Sequence, residues 1–203
     1  MKHEVGRLQT NSLPEQKLRR YEELLRTRAV PLGFISGTDQ SRIRERHIDD
    51  SLRARGCLRP VDQVVVDVGS GAGLPGIPLA ISEPGRRFVL IESSKRRAAF
   101  LEYASEALEL ANVSVVADRA EAVDLVADVC LARALASAAA AWATTAPLLG
   151  PGGILLYFAG KSWTETPTDP VPGATVAICS EPRFAWEGPI VMMTASSRAG
   201  ATH

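Results

Sequence analysis

The sequence has few of the features that mark membrane, secreted or metal-binding proteins. Its three cysteines, Cys57, Cys130 and Cys179, are odd in number and far apart in 203 residues. We expect reduced thiols, because the spacing fits neither a zinc site nor a disulfide framework. No run approaches the ~20 apolar residues of a membrane span, and residues 1–12 lack the apolar core of a secretory signal. A cytoplasmic protein without membrane attachment or bound metal is therefore expected.

Net charge is also absent, since 23 Lys and Arg balance 23 Asp and Glu. The distribution is uneven, because residues 1–60 carry 13 basic against 8 acidic side chains and residues 61–203 carry 10 against 15. A basic N-terminal third can attract a phosphate backbone. A solvated helical surface explains the same count equally well.

What the chain does contain is the pattern of one α/β domain with an appendage. Strands and helices alternate from residue 63 onward, which is typical of a parallel sheet with helices on both faces. We predict an N-terminal helical extension over residues 1–60, a main domain over 61–195 and a disordered tail over 196–203. The predicted strands are 64–68, 87–91, 113–117, 127–132 and 154–159, with closing strands at 175–178 and 190–193.

The N-terminal extension is predicted to contain two amphipathic helices. Ser12 and Glu15 have the spacing of a capping box before the first helix. Asp39 or Ser41 is the expected cap of the second helix. Later helices are predicted at 74–81, 94–110 and 120–125 and from the end of the fourth strand to residue 149, with a turn at 150–153.

The most informative stretch is VVVDVGSGAGLPGIP, residues 64–78, which predicts a strand, a glycine turn and a helix start. Glycine permits positive φ and leaves bare main chain against which a ligand can lie. The dinucleotide pattern fails because its third glycine would fall at Leu74, and no Gly-Lys-Ser/Thr follows for a Walker loop. A tight structural turn without a ligand stays open. Three glycines follow Asp67 at two-residue spacing: Gly69, Gly71 and Gly73.

Further polar residues follow the other predicted strands. Glu92 ends the second strand, where an open α/β sheet places the acceptor for a ribose diol. The segment DRAE, residues 118–121, follows the third strand at the usual place for contacts to an adenine ring. Arg133 closes the fourth strand and faces the same crevice. An ion pair with Glu121 or Asp67 would explain Arg133 equally well.

The pattern Asp-x-Gly-x-Gly-x-Gly resembles motif I of the class I S-adenosylmethionine (SAM) methyltransferases. Over residues 40–160 the chain also resembles the ribosomal RNA small subunit methyltransferase G family, also called glucose-inhibited division protein B. That resemblance implies SAM-dependent methylation of guanine N7 in 16S rRNA, on a Rossmann-like fold with an N-terminal helical extension. The segments that carry it are RHIDDSL (46–52), DVGSGAGLPGIPLAI (67–81), ESSKRRAAFL (92–101), DRAE (118–121) and ARALAS (132–137).

The resemblance also implies roles for individual residues. Gly69 and Leu74 are expected to contact SAM, and Ala120 and Glu121 to hold its adenine end. Arg133 is the candidate catalytic residue, near the methionine part of SAM or the target base. The implied partner is 16S rRNA or the small ribosomal subunit, bound by a monomer. The full set of candidate cofactor-binding residues is Asp67, Gly69, Gly71, Gly73, Leu74, Glu92, Ala120, Glu121 and Arg133.

The chain departs from the family pattern in two segments near the expected docking site. Residues 27–38 read TRAVPLGFISGT, and FAGK at 158–161 moves a lysine to Lys161. A methyltransferase of the same family with a small-molecule acceptor therefore stays open, as does a SAM-binding or RNA-binding protein without turnover.

Guanine N7 chemistry sets modest demands on the protein. N7 is a lone-pair acceptor without a proton to lose, so no general base is required. Cys130 lies in an apolar strand and is interpreted as a buried core residue rather than a nucleophile. Among the arginines of the second helix, we expect Arg44 and Arg53 to hold phosphates next to the target base.

Overall fold

The structure, a computed structural model, describes residues 12–134, 137–161, 163 and 171–196. Its strands are β1 (Val64–Val68), β2 (Arg87–Ile91), β3 (Val113–Val116), β4 (Ala127–Arg133), β5 (Leu149–Phe158), β6 (Ala174–Ser180) and β7 (Ile190–Ala195). They form one sheet in the order β3-β2-β1-β4-β5-β7-β6. The first five strands are parallel, and β7 pairs antiparallel with both β5 and β6. The predicted Rossmann-like α/β fold is confirmed.

Helices fill the connections and precede the sheet. The α-helices are α1 (Leu13–Leu24), α2 (Asp50–Leu52), α3 (Gly76–Ser82), α4 (Lys95–Ala107) and α5 (Ala138–Thr145). Single turns of π-helix cover Leu25–Ala29 and Arg44–Asp49, and 3-10 turns cover Gly37–Arg42, Arg53–Cys57, Ala120–Ala122 and Ala146–Leu148. None of the described helices has the length and apolar composition needed to cross a bilayer.

The helix starts in the N-terminal part differ from the prediction. Ser12 makes no side-chain cap, because the Glu15 carboxylate instead pairs at 3.0 Å with Arg44 of the second helical segment, residues 37–57. That segment begins earlier than expected, with Ser36 as its cap rather than Asp39 or Ser41. A tertiary ion pair has thus replaced the local capping box.

Apolar side chains cover both faces of the sheet. One face packs Val66 and Val68 of β1 against Trp142 of α5. On the other side, Tyr21 of α1 and Ile77 of α3 belong to one buried cluster. The predicted N-terminal extension and main domain therefore share core residues, and their division at residue 60 stays a prediction. Most of the predicted tail lies outside the described residues, and the amide of Ser196 donates to the Gly173 carbonyl.

The fifth strand is longer than predicted. The glycine-rich segment 150–153 belongs to β5 instead of forming a separate turn. A register shift between Ala127 and Val129 of β4 accommodates it, as a β-bulge does. A Cβ on Gly153 would lie 2.9 Å from the Gly150 carbonyl oxygen, so the close approach needs glycine.

Two of the three cysteines contradict the prediction of reduced thiols. Cys57 and Cys179 form a disulfide that joins the turn Arg53–Cys57 to β6, across a sequence separation of 122 residues. Their Cα atoms lie 5.9 Å apart, a distance that spacing along the chain does not reveal. Cys130 is free and buried, as predicted, and burial raises the pKa of its thiol to about 12.

Thiol titration tests this pairing. Denatured protein prepared without reductant should show one reactive thiol, and reduced protein should show three. The variant Cys179→Ser should show two thiols in both states, and its Tm should fall by about 5–15 °C because the unfolded chain loses a long cross-link. Three thiols in unreduced wild type would contradict the disulfide.

Candidate active site

The carboxyl ends of four parallel strands are level with one another. Strand register places Val116, Ile91, Val68 and Ala132 in one row across β3, β2, β1 and β4. Residues that follow this row therefore meet at one edge of the sheet. The order of the strands reverses beside β1, and such a switch point is where open α/β sheets bind ligands.

The loop after β1 has the glycine conformations that the sequence predicts. Gly69, Gly71 and Gly73 have φ values of +72°, +60° and +92°. A Cβ on Gly73 would lie 2.9 Å from the Tyr21 hydroxyl, whereas one on Gly71 would meet nothing closer than 3.9 Å. The loop is therefore packed on one side and presents bare main chain on the other.

Two buried carboxylates fix this loop. Asp67 accepts a 3.0 Å hydrogen bond from the Gly76 amide at the start of α3. Glu92, at the end of β2, accepts from the amides of Gly71 at 2.9 Å and Ser94 at 2.8 Å. Glu92 thus lies at the predicted place and holds the glycine loop. Its predicted contact to a ribose stays a prediction.

A third contact comes from the N-terminal part. The Tyr21 hydroxyl donates to the Ala72 carbonyl at 2.7 Å, and the side chain is fully buried. Burial raises the pKa of this phenol. The sequence predicts Tyr21 on the apolar face of the first amphipathic helix, together with Leu18, Leu24 and Leu25. Its hydroxyl, a polar group on that face, was the signal for a buried partner.

Arg133 extends from the end of β4 toward the second helical segment. Its Nη2 donates to the Arg46 carbonyl at 3.0 Å and lies 3.2 Å from Asp50 Oδ2. Nη1 is buried and has no hydrogen-bond partner within the described residues. Burial lowers the pKa of this guanidinium, and Asp50 opposes that effect. The ion-pair partner is Asp50 instead of Glu121 or Asp67, because the helical segment brings Asp50 over the strand end.

A cavity of about 420 Å³ opens beside Arg133, within the size range of small-ligand sites. Three buried donors on its lining residues have no partner in the described part of the chain: Arg53 Nε, Arg133 Nη1 and Trp186 Nε1. Its lining also includes Arg46, His47, Asp50, Tyr157, Phe158, Lys161 and Glu187. The displaced lysine of the FAGK segment therefore lies at the cavity.

Histidine chemistry in this cavity is limited by burial. Burial and the nearby Arg133 lower the pKa of His47, while Asp39 opposes them. The Nε2 atom lies 3.2 Å from Asp39 Oδ2. His47 is therefore a neutral, oriented side chain at pH 7. The sequence places it on the apolar side of the second predicted helix, where a histidine is usually a packed structural residue, and position alone gives it no catalytic role.

The remaining predicted cofactor residues lie farther along the same edge. The turn Ala120–Ala122 follows β3, with Ala120 buried and Glu121 exposed. Leu74 continues the glycine loop and is half-buried. Their contacts to SAM stay predictions.

The expected phosphate contact of Arg53 is wrong. Its side chain is 3% exposed and its Nη1 bonds Asp50 at 2.7 Å. Nη2 donates to the carbonyl oxygens of Ser180, Glu181 and Gly188 at 3.0–3.1 Å. Arg44 is likewise occupied by Glu15 and Asp49. Protein acceptors therefore already occupy the guanidinium of buried Arg53 and that of half-buried Arg44.

Comparison with known proteins agrees with the geometry. A family model described as GidB, rRNA small subunit methyltransferase G, matches residues 14–168. The chain belongs to this family. The chain is 45% identical over 147 residues to ribosomal RNA small subunit methyltransferase G of Acidothermus cellulolyticus, covering 72% of this chain and 66% of that protein. The protein of that name from Granulibacter bethesdensis is 39% identical, with 76% and 72% covered.

The matched length is limited in some family members. The protein of that name from Frankia casuarinae is 39% identical, and the match covers 72% of this chain but 57% of that protein. The chain thus spans slightly under two thirds of the Acidothermus protein and less of the Frankia protein.

Solved structures show the same fold at low sequence identity. A variant of MtNAS in complex with S-adenosylmethionine aligns with a TM-score of 0.61 and 17% identity, covering 89% of this chain and 72% of that chain. Precorrin-6y C5,15-methyltransferase from Geobacter metallireducens aligns with a TM-score of 0.51 and 15% identity, covering 72% and 86%. The methyltransferase family uses SAM, and the loop fits it, because bare main chain beside Gly71 leaves room for a ligand at the switch point.

The buried Asp67 predicts a pH dependence of stability. Burial raises its pKa from 3.8 to about 7, while the Gly76 hydrogen bond opposes the rise. The folded protein therefore keeps a proton that the unfolded chain releases, and the free energy of unfolding should fall as pH rises from about 4 to 7, by roughly 4 kcal/mol. Urea denaturation across this range should show a flatter profile for Asp67→Asn.

The exposed Asp124 supplies the control for that series. Asp124→Asn should leave the wild-type slope unchanged. An Asp67→Asn profile as steep as that of wild type would show that another group causes the slope.

The Tyr21 hydroxyl should matter for cofactor affinity. Tyr21→Phe leaves the Ala72 carbonyl without its donor and loosens the glycine loop. We expect the Kd for SAM to rise about five- to thirtyfold, equivalent to about 1–2 kcal/mol. Calorimetry should detect this, and the exposed Tyr103→Phe should bind as wild type does. Unchanged SAM affinity in Tyr21→Phe would show that the hydrogen bond to the Ala72 carbonyl does not contribute to cofactor binding.

Proposed function

We propose that this chain transfers a methyl group from SAM to N7 of a guanine in 16S small-subunit rRNA. It acts as a cytoplasmic monomer without membrane attachment. The observation that carries the proposal is that the glycine loop and Arg133 follow neighbouring strand ends, since Val68 is level with Ala132, and Arg133 lines a cavity with unpaired donors among the described residues. In that cavity Asp50 and Glu187 are already ion-paired. Family membership supports the same chemistry.

The cavity suits an acceptor that needs no deprotonation. Guanine N7 attacks with a lone pair and has no proton to lose. The sulfonium of SAM supplies the reactivity of the methyl group when the cofactor is bound. The task of the chain is then to align the base with the cofactor and to exclude other geometries. Paired carboxylates and a neutral His47 are consistent with this task.

Arg133 is the residue we assign to the target base. Guanine O6 is the acceptor next to N7 on the same edge of the base. Because Nη2 is held by Asp50 and the Arg46 carbonyl, the buried Nη1, which has no partner among the described residues, is the donor that remains for O6. A single donor at O6 leaves N7 open to the methyl group.

The cofactor is assigned to the other side of the strand ends. Gly69, Gly71, Gly73 and Leu74 offer main chain to the methionine and ribose parts, with Asp67 beneath as the support of the loop. Glu92 retains carboxylate lone pairs for a ribose diol beside its two amide bonds. Ala120 and Glu121 follow β3, at the position assigned to the adenine end.

Mapping of 7-methylguanosine in small-subunit rRNA tests the function. Cells that lack this protein should lose one such mark, and the purified protein with labelled SAM should restore it on 30S particles from those cells. Extracted small metabolites, assayed in parallel, should stay unlabelled. Label in a metabolite, or SAM binding without transfer to RNA, would overturn the proposal.

The same assay shows whether Arg133 binds the target base or the cofactor. Arg133→Lys retains the positive charge beside Asp50 but loses the planar fork. We expect kcat/KM for the 30S particles to fall about ten- to hundredfold, because the charged donor to guanine O6 is lost. The Kd for SAM should stay constant. An equal loss of SAM affinity would show that Arg133 binds the cofactor instead of the target base.

A further inference from the structure

Two aromatic rings stack in the loop between β6 and β7, residues 181–189. The rings of Phe184 and Trp186 lie 4.6 Å apart with an interplanar angle of 7°. The guanidinium of Arg42 lies 4.2 Å from the Trp186 ring centre, and that of Arg183 lies 5.8 Å from the Phe184 ring centre. Phe184 is 50% exposed, so apolar burial does not account for its position.

The stacked pair stands between two depressions. Trp186 lines the candidate cavity together with Arg133 and Lys161. Both aromatic rings line a second depression of about 370 Å³, which also includes the acidic side chain of Glu45. The indole Nε1 of Trp186 is buried and has no partner among the described residues. The rings thus form a wall that leads from the outer surface to the target site.

Polar contacts hold this wall in place. Glu187 accepts from the Arg183 amide at 2.7 Å, and its own amide donates to the Phe184 carbonyl. The Arg53 guanidinium holds the carbonyl oxygens at both ends of the loop. Arg183 Nη2 also donates to the Asp49 carbonyl of the second helical segment. A platform fixed in advance loses little conformational freedom when a ligand binds.

Flat aromatic rings with guanidinium groups beside them are suited to stacking against unpaired nucleobases. Proteins recognise single-stranded RNA by stacking its bases on aromatic and arginine side chains. A base that enters an active site leaves its stack, so its neighbour loses a stacking partner. An exposed ring that stacks on a residue of the cavity wall, as Phe184 does on Trp186, can replace that partner. The loop lies outside residues 14–168, so the family match does not account for it.

We infer that Phe184 and Trp186 form a stacking platform for an unpaired nucleobase adjacent to the target nucleotide in RNA. This inference rests on the proposed rRNA methylation. Phe184 supplies the exposed ring, and Trp186 supports it from within. The guanidinium planes of Arg42 and Arg183 lie beside the rings and are ion-paired with Glu45 and Glu187.

Substitution of the exposed ring tests the platform. Phe184→Leu keeps an apolar side chain but removes the aromatic face, whereas Phe184→Tyr keeps that face. With protein-free 16S rRNA transcribed in vitro, we expect the Kd of Phe184→Leu to rise about five- to twentyfold. Phe184→Tyr should bind as wild type does, and the Kd for SAM should be the same in all three proteins.

Tyr103 provides a matched control on α4. It is 41% exposed and has the guanidinium of Arg28 4.6 Å from its ring centre. Tyr103→Leu should leave RNA affinity unchanged. An equal loss in this variant, or wild-type affinity in Phe184→Leu, would overturn the inference.

Two further outcomes separate the inference from its alternatives. A Phe184→Leu defect with 30S particles but not with protein-free rRNA would overturn the platform in favour of a protein contact. Wild type that binds rRNA through Phe184 yet transfers no methyl group would support the platform and contradict the proposed methylation.

Discussion

The hydrogen bond between the Gly71 amide and the Glu92 carboxylate is the contact on which the site depends. A chain that leaves a buried strand through glycines has amides without helical or sheet partners, and buried amides need acceptors. Glu92 supplies one from β2, while Asp67 and Tyr21 hold the start of α3 and the Ala72 carbonyl. The loop is therefore rigid on its buried side, and bare peptide is left on the other side for the cofactor.

The second organising group is Asp50, which serves two arginines at once. Its Oδ1 lies 2.7 Å from Arg53 Nη1, and its Oδ2 lies 3.2 Å from Arg133 Nη2. Arg53 secures the loop before β7, and Arg133 caps the strand that borders the glycine loop. Buried charges are costly unless they are paired. One carboxylate thus ties the N-terminal part, the sheet and the cavity wall together. Loss of Asp50 would remove the ion-pair partner of Arg133 and leave Arg53 with the longer 3.6 Å contact to Glu187.

Features that depend on neighbouring residues were predicted correctly from the sequence, whereas contacts between residues far apart along the chain were not. The boundaries of β1 and β2 were correct, since an apolar run that ends in glycine or acid is a local signal. The predicted capping box at Ser12 and the predicted phosphate contact of Arg53 were wrong, because Glu15 and Arg53 bind partners 29 and 127 positions away along the chain. The pairing of Cys57 with Cys179 was missed for the same reason, since it depends on where β6 lies.

The sequence by itself determined the α/β class, the glycine conformations after β1 and the membership of a methyltransferase family. These depend on strand periodicity and on backbone angles that only certain residues adopt. Tertiary structure alone decided that Arg133 pairs with Asp50, that Tyr21 supports the glycine loop and that Trp186 borders the cavity. The Arg133–Asp50 and Tyr21–Ala72 contacts each join residues more than 50 positions apart, and no local pattern encodes the distance between such residues.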